Sequence, residues 1–167
     1  MIPKLFVQKY LPFAKQTYAA TGIHPYVILA QAALESGWGE KAVGNMFFGV
    51  KDTDGVNGNE QLLTTTEYLR TPNAKFPAIL KVVALGKGLW KYTVKDWFRK
   101  YPSPEQSFTD HAKFFLTNPR YKEALKVKGQ PYLFAAAIAK AGYATAPNYS
   151  EVLQSVIRTI EKAATGL

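Results

Sequence analysis

Apolar residues recur at helical spacing at both ends of the chain and at strand spacing in its middle. Residues 3–21 read as helix, and Pro12 predicts a break into two pieces because it removes an N–H and crowds the preceding turn. Gly22 is placed to end that helix in a left-handed conformation. Pro25 fits the first turn of a second helix, with His24 just before it. Val27 to Leu34 is apolar nearly all round, which predicts burial on most sides, and Gly37 and Gly39 stop the run. Turn chemistry then dominates, in Asp52-Thr53-Asp54-Gly55 and Asn57-Gly58-Asn59. Met46–Lys51 and Leu62–Leu69 read as short strands, and residues 90–99 alternate as a third. Residues 71–90 resist assignment, although Ile79 to Leu85 is apolar between Pro77 and Gly86.

From residue 103 the helical period returns. Ser103-Pro104-Glu105-Gln106 is a capping signal for a helix to about Leu116. Asn118-Pro119 opens a short helix to about Lys126, and an Ala-rich helix over 131–140 stops at Gly142. Asn148 or Ser150 caps the last helix, with its stripe at Val152, Leu153, Val156, Ile157 and Ile160. The outline is an α+β single domain over residues 1–167, mostly helical, with a small β-lobe at roughly 44–100.

Composition narrows the classes. The 167 residues suffice to bury about 70% of the unfolded surface in one domain. No apolar run approaches the roughly 20 residues that span a bilayer, so no membrane insertion is expected. Cysteine is absent, which removes disulfides, zinc thiolates and a thiol nucleophile. The start, Met-Ile-Pro-Lys-Leu-Phe, lacks the features of a signal peptide. Lys and Arg exceed Asp and Glu by 21 to 12, a formal charge of +9 that favours anionic partners. The basic residues are scattered and no nucleic-acid motif accompanies them, so nucleic acid is not expected as a partner. Aromatic residues make up 14%, enough to supply stacking platforms for sugars beyond the needs of a core.

Glu35 is the most informative residue. It ends the apolar helix just before Ser36-Gly37-Trp38-Gly39. Apolar surroundings and the negative end of the helix dipole both favour its neutral form. A carboxylic acid that keeps its proton near neutrality is what general-acid cleavage of a glycoside requires. The glycines admit substrate to the backbone, and Trp38 offers a platform for a sugar. The plain alternative is a Glu on the exposed side of a helix end. Partner carboxylates are available at Asp52, Asp54, Glu60 and Glu67. Strand geometry fixes the direction of Glu67, whereas the loop acids fit turn roles. Tyr143, in Gly142-Tyr143-Ala144-Thr145, can orient a substrate amide or merely pack a corner. His24 and His111 have no ligand spacing, so neither a metal nor a cofactor is expected.

These residues resemble a known family. Gln31-Ala32-Ala33-Leu34-Glu35-Ser36-Gly37-Trp38-Gly39 is similar to the catalytic motif of glycoside hydrolase family 73, the bacterial peptidoglycan N-acetylglucosaminidases. Phe48-Gly49-Val50-Lys51, Thr64-Thr65-Thr66-Glu67-Tyr68, Phe98-Arg99-Lys100-Tyr101 and Ser107-Phe108-Thr109-Asp110-His111 continue the likeness in order. Asn118-Pro119-Arg120-Tyr121, Gly142-Tyr143-Ala144-Thr145 and Pro147-Asn148-Tyr149 complete it over nearly the whole chain. The resemblance implies a lysozyme-like fold with a cleft between a helical and a β-lobe. It implies that Glu35 is the general acid, Glu67 the β-lobe carboxylate and Tyr143 the tyrosine beside the reacting N-acetylglucosamine. Trp38, Phe48, Asp110, Tyr121 and Tyr149 would line the substrate. The expected substrate is the glycan strand of peptidoglycan, cut outside the cytoplasm by a monomer at the β-1,4 bond after N-acetylglucosamine. A muramidase, a lytic transglycosylase and a non-catalytic wall-binding or phage structural module are the alternatives. The chain departs from the family at Met46 and Ala146, and residues 71–90 are longer than the typical lobe.

Overall fold

The computed structural model describes all 167 residues and divides them into two compact units, Met1–Phe48 with Tyr101–Leu167, and Gly49–Lys100. The first is helical: α1 (Pro3–Thr21), α2 (Pro25–Ser36), α3 (Pro104–Thr117), α4 (Pro131–Lys140) and α5 (Tyr149–Thr165). Each helix buries an apolar stripe, although Val152, expected in that of α5, is exposed. Phe108, Ala112 and Phe115 of α3, and Leu153, Ile157 and Ile160 of α5, follow i, i+4, i+7 spacing into one core with Phe6, Tyr10 and Ala14 of α1. α2 is the hub: Val27 to Ala33 is buried without interruption, and the helix packs against the other four.

The caps follow the sequence. Gly22 takes φ 76° and its N–H closes on the Tyr18 carbonyl. His24 accepts the Tyr26 N–H at 3.1 Å through Nδ1, and Ser103 accepts that of Gln106. The helix at 3–21 is not broken at Pro12 as expected. Pro12 and Gln8 both face solvent, so water can serve the carbonyl that the proline leaves without its donor. Pro12→Ala should therefore raise stability by about 1 kcal/mol, because the restored helical bond is partly offset by a more flexible unfolded chain. Thermal denaturation checks this; a fall in melting temperature would show that α1 packing depends on the proline.

The expected helix from 118 to 126 is instead two three-ten turns, Pro119–Tyr121 and Ala124–Val127. Burial of Tyr121 and Ala124 sets the path of this short segment, which is too brief for helix propagation to stabilise.

The second unit is a three-stranded antiparallel sheet of β1 (Glu60–Leu69), β2 (Ala78–Gly86) and β3 (Leu89–Arg99), in the order β1-β3-β2. Residues 78–86, unassigned from sequence, pair with β3 through a hairpin closed at Gly86-Lys87-Gly88, all three at positive φ. β2 is an edge strand, and its aliphatic residues are exposed on both faces, which is why no alternation marked it. Met46–Lys51 is not a strand: left-handed backbone at Asn45 and Gly49 breaks the extension, and only Lys51 bridges, to Phe98. The β unit accordingly begins at Gly49 rather than near 44.

Candidate active site

Glu35 occupies the penultimate position of α2. Its neighbours on the helix are buried, but Leu34 and Glu35 lie on the one open side, so the carboxyl is accessible rather than buried as the apolar run had implied. The surrounding protein still strips part of its hydration and pushes its pKa above the usual glutamate value. The chain turns sharply after it. Gly37 and the non-glycine Trp38 take successive left-handed conformations, φ 58° and 57°, and Trp38 N–H returns to the Ala33 carbonyl at 2.8 Å. Ser36 latches this turn, donating to the Ala32 carbonyl and accepting the Gly39 N–H at 2.8 Å. Trp38 is half-buried, with its ring edge-on to Phe6 at 5.3 Å.

Two tyrosines share the electrostatic field of Glu35. Tyr143 follows α4, where Gly142 at φ 89° lets the chain turn and Tyr143 N–H bonds the Ile138 carbonyl at 3.1 Å. Tyr149 opens α5. Burial, with smaller contributions that include the Glu35 carboxylate, raises both phenols, Tyr149 to about 12. Both therefore remain protonated hydrogen-bond donors across physiological pH. Their rings lie 5.4 Å apart.

Behind the tyrosines lies a network that sequence reasoning missed. Gln31, one turn before Glu35 and 2% exposed, donates from Nε2 to Tyr149 Oη at 3.1 Å. Its Oε1 lies 3.0 Å from His111 Nε2, and Tyr143 Oη lies 3.5 Å from the same nitrogen. The His111 ring stacks on Phe48 at 3.8 Å, and burial drops its pKa to about 3, so it stays neutral. A glutamine inside an otherwise apolar helix was the available signal, since a buried amide needs partners.

The remaining candidates separate by environment. Phe48 is half-buried and gives one face to His111. Asp110 accepts the Tyr101 hydroxyl at 2.6 Å, and both line a surface depression with Glu105, Gln106, Thr109 and Lys113. Tyr121, expected to touch substrate, is instead 2% exposed and packed on Phe115 at 4.9 Å, which makes its ring part of the core.

Glu67 belongs to the sheet unit. It sits on β1 opposite Tyr92, on the face shared by Thr65 with Val94 and Leu63 with Asp96. Lys51 bridges two of these acids: its ammonium pairs with the Glu67 carboxylate and lies 3.2 Å from Asp96. The Glu67 bond chiefly pushes the lysine pKa up. The loop acids do turn work. Glu60 accepts the N–H groups of Asn57 and Gly58 at 2.9 and 3.0 Å, and Asp54 accepts from Asn59.

The chain is similar to known proteins over nearly its whole length. The family model described as mannosyl-glycoprotein endo-beta-N-acetylglucosaminidase matches residues 11–162. Among curated relatives, the peptidoglycan hydrolase FlgJ of Vibrio parahaemolyticus is 33% identical over 95% of this chain and 48% of its own length. A probable N-acetylmuramidase of Lactococcus lactis subsp. lactis is 31% identical over 91% of this chain and 32% of its own. The chain thus spans half or less of the length of these relatives. Of solved structures, the glycoside hydrolase domain of Salmonella typhimurium FlgJ superposes with a TM-score of 0.74 at 28% identity, covering 99% of this chain and 92% of that one. The catalytic domain of the autolysin Auto from Listeria monocytogenes gives 0.70 at 25% identity, over 97% of this chain and 86% of that one. Five helices with a small antiparallel sheet, and a family match over nearly the whole length, show that the chain belongs to glycoside hydrolase family 73, the glucosaminidases, and is a glycoside hydrolase of the lysozyme-like α+β fold.

Proposed function

We propose that the chain hydrolyses the glycan strands of bacterial peptidoglycan at the β-1,4 bond after N-acetylglucosamine, with Glu35 as the general acid. One observation carries the reading. Glu35 combines access to solvent with an upward-shifted pKa, within electrostatic reach of two tyrosines held protonated. Such a carboxyl can hand its proton to a leaving sugar oxygen.

The second step has two routes. In one, Glu67 activates a water and the anomeric configuration inverts. In the other, the substrate's acetamido oxygen attacks the anomeric carbon while Tyr143 steadies the group, and water later opens the ring with net retention. Trp38 and Phe48 supply aromatic surface for the sugars. The +9 charge supports docking on anionic wall polymers, and the substrate places the action outside the cytoplasm. The muramidase alternative has a specific basis in the lactococcal relatives, about 30% identical, whose names specify that activity.

Mass spectrometry of products from purified peptidoglycan decides among these. Reducing-end N-acetylglucosamine is the expected product. Reducing N-acetylmuramic acid would make the chain a muramidase, and a 1,6-anhydro sugar would make it a transglycosylase.

A further inference from the structure

The hydrogen bonds behind Glu35 have a direction, and that direction bears on substrate. The amide nitrogen of Gln31 can only donate and its oxygen can only accept. With Nε2 committed to Tyr149 Oη, Oε1 must accept, and the group facing it at 3.0 Å is His111 Nε2. His111 is therefore the Nε2–H tautomer. The ring is locked in place: it lies parallel to Phe48 at 3.8 Å and edge-on to Phe115 at 5.1 Å. An Nε2 that carries hydrogen cannot accept from Tyr143, whose oxygen lies 3.5 Å away. Tyr149 Oη already accepts from Gln31. Both phenol hydrogens are thus turned away from the network, on two rings that sense the Glu35 charge.

We propose that Gln31 and His111 are positioning residues: Gln31 donates to the Tyr149 oxygen, and the one Nε2–H of His111, shared between Gln31 Oε1 at 3.0 Å and Tyr143 Oη at 3.5 Å, faces the Tyr143 oxygen, so that both hydroxyls face the sugar as donors to its acceptor oxygens. The inference rests on the glycosidase reading of Glu35 and adds the specificity element to it. Two donors side by side suit an N-acetylated sugar, with one available to the acetamido oxygen and one to a ring substituent. A site built to donate leaves its groups unpaired when the acceptor is missing, and so discriminates against unacetylated sugars.

Nitrogen-15 NMR of the histidine-labelled wild type reads the tautomer directly. The expected result is a protonated Nε2 and an unprotonated Nδ1 at residue 111, unchanged from pH 5 to 8. A protonated Nδ1, or titration within that range, overturns the proposal, because the amide of Gln31 would then be reversed.

Kinetics on peptidoglycan supply the second arm. His111→Phe keeps the stacked ring and loses the donor, while His111→Gln retains a donor near the Nε2 position. The proposal expects about a tenfold loss of kcat in the first, with KM within about twofold, and substantial recovery in the second. Equal losses in both variants, or no loss in the phenylalanine variant, overturn it in favour of a packing role. Glu35→Gln measured alongside separates the two levels: activity surviving there refutes the glycosidase reading itself, whatever the histidine variants do.

Discussion

Replacing Glu35 by Gln should lower kcat on peptidoglycan by about a thousandfold, within the range that general acid catalysis supplies. The amide keeps the shape and hydrogen-bonding size of the carboxyl and removes only the transferable proton. The fold should survive, because the side chain lies on the open side of α2 and carries none of the core. Its effect on stability has a definite sign. Surrounding protein raises the Glu35 pKa in the folded state, so the folded chain favours the protonated form. The stability this group contributes is complete below its unfolded pKa, about 4.3, and is lost as pH rises through the higher folded value. Glutamine has no such loss. The variant should match wild type in melting temperature near pH 4 and exceed it at pH 8, while being nearly inactive at both. Wild-type activity, in turn, should decline with rising pH along a titration centred above that of an ordinary glutamate. Release of reducing ends and thermal scans at the two pH values check both halves. Retention of a tenth of the activity would remove Glu35 from the acid role.

A carboxyl that the folded chain holds above its ordinary pKa is one that local sequence can nominate. An acid at the end of a largely apolar helix, followed by glycines, is a conflict between helix physics and residue choice, and such conflicts concentrate where chemistry is done. The helices were legible for the opposite reason: Phe108, Ala112 and Phe115, or Leu153, Ile157 and Ile160, agree with their period, their caps and their burial. What stayed hidden depended on partners distant in sequence. His111 looked idle because it has no metal-ligand spacing, but its partner Gln31 is 80 residues away. Lys51 looked like part of a short strand, and its role emerged only when β1 and β3 brought Glu67 and Asp96 onto one face. Tyr121 matched a family motif and was read as a substrate contact, whereas the three-ten turn at Pro119–Tyr121 carries its ring into the core. β2 escaped because edge strands with two open faces need no alternation.

The largest expected loss of stability is at Phe115. The ring is 1% exposed and meets Tyr121 at 4.9 Å, His111 at 5.1 Å, Phe134 at 5.4 Å and Tyr143 at 5.5 Å. Truncation to Ala removes apolar surface and leaves a cavity walled by rigid rings that cannot collapse inward, so the cost is about 3–5 kcal/mol. For a chain of this size that corresponds to a fall of roughly 10–15 °C in melting temperature, read by near-ultraviolet circular dichroism, which reports the aromatic cluster itself. Phe115→Leu fills most of the space and should cost about a third as much. The two variants should also separate in activity when assayed at a temperature where both are folded. Tyr143 and His111 lean on this ring from the site side, so the Ala variant frees the hydroxyl donors that Gln31 and His111 orient, and its kcat should fall further than that of the Leu variant. A melting temperature within about 4 °C of wild type would mean that the ring is not packed as the 1% exposure indicates. Loss of stability without any loss of kcat would mean that the tyrosines are held by their hydrogen bonds alone.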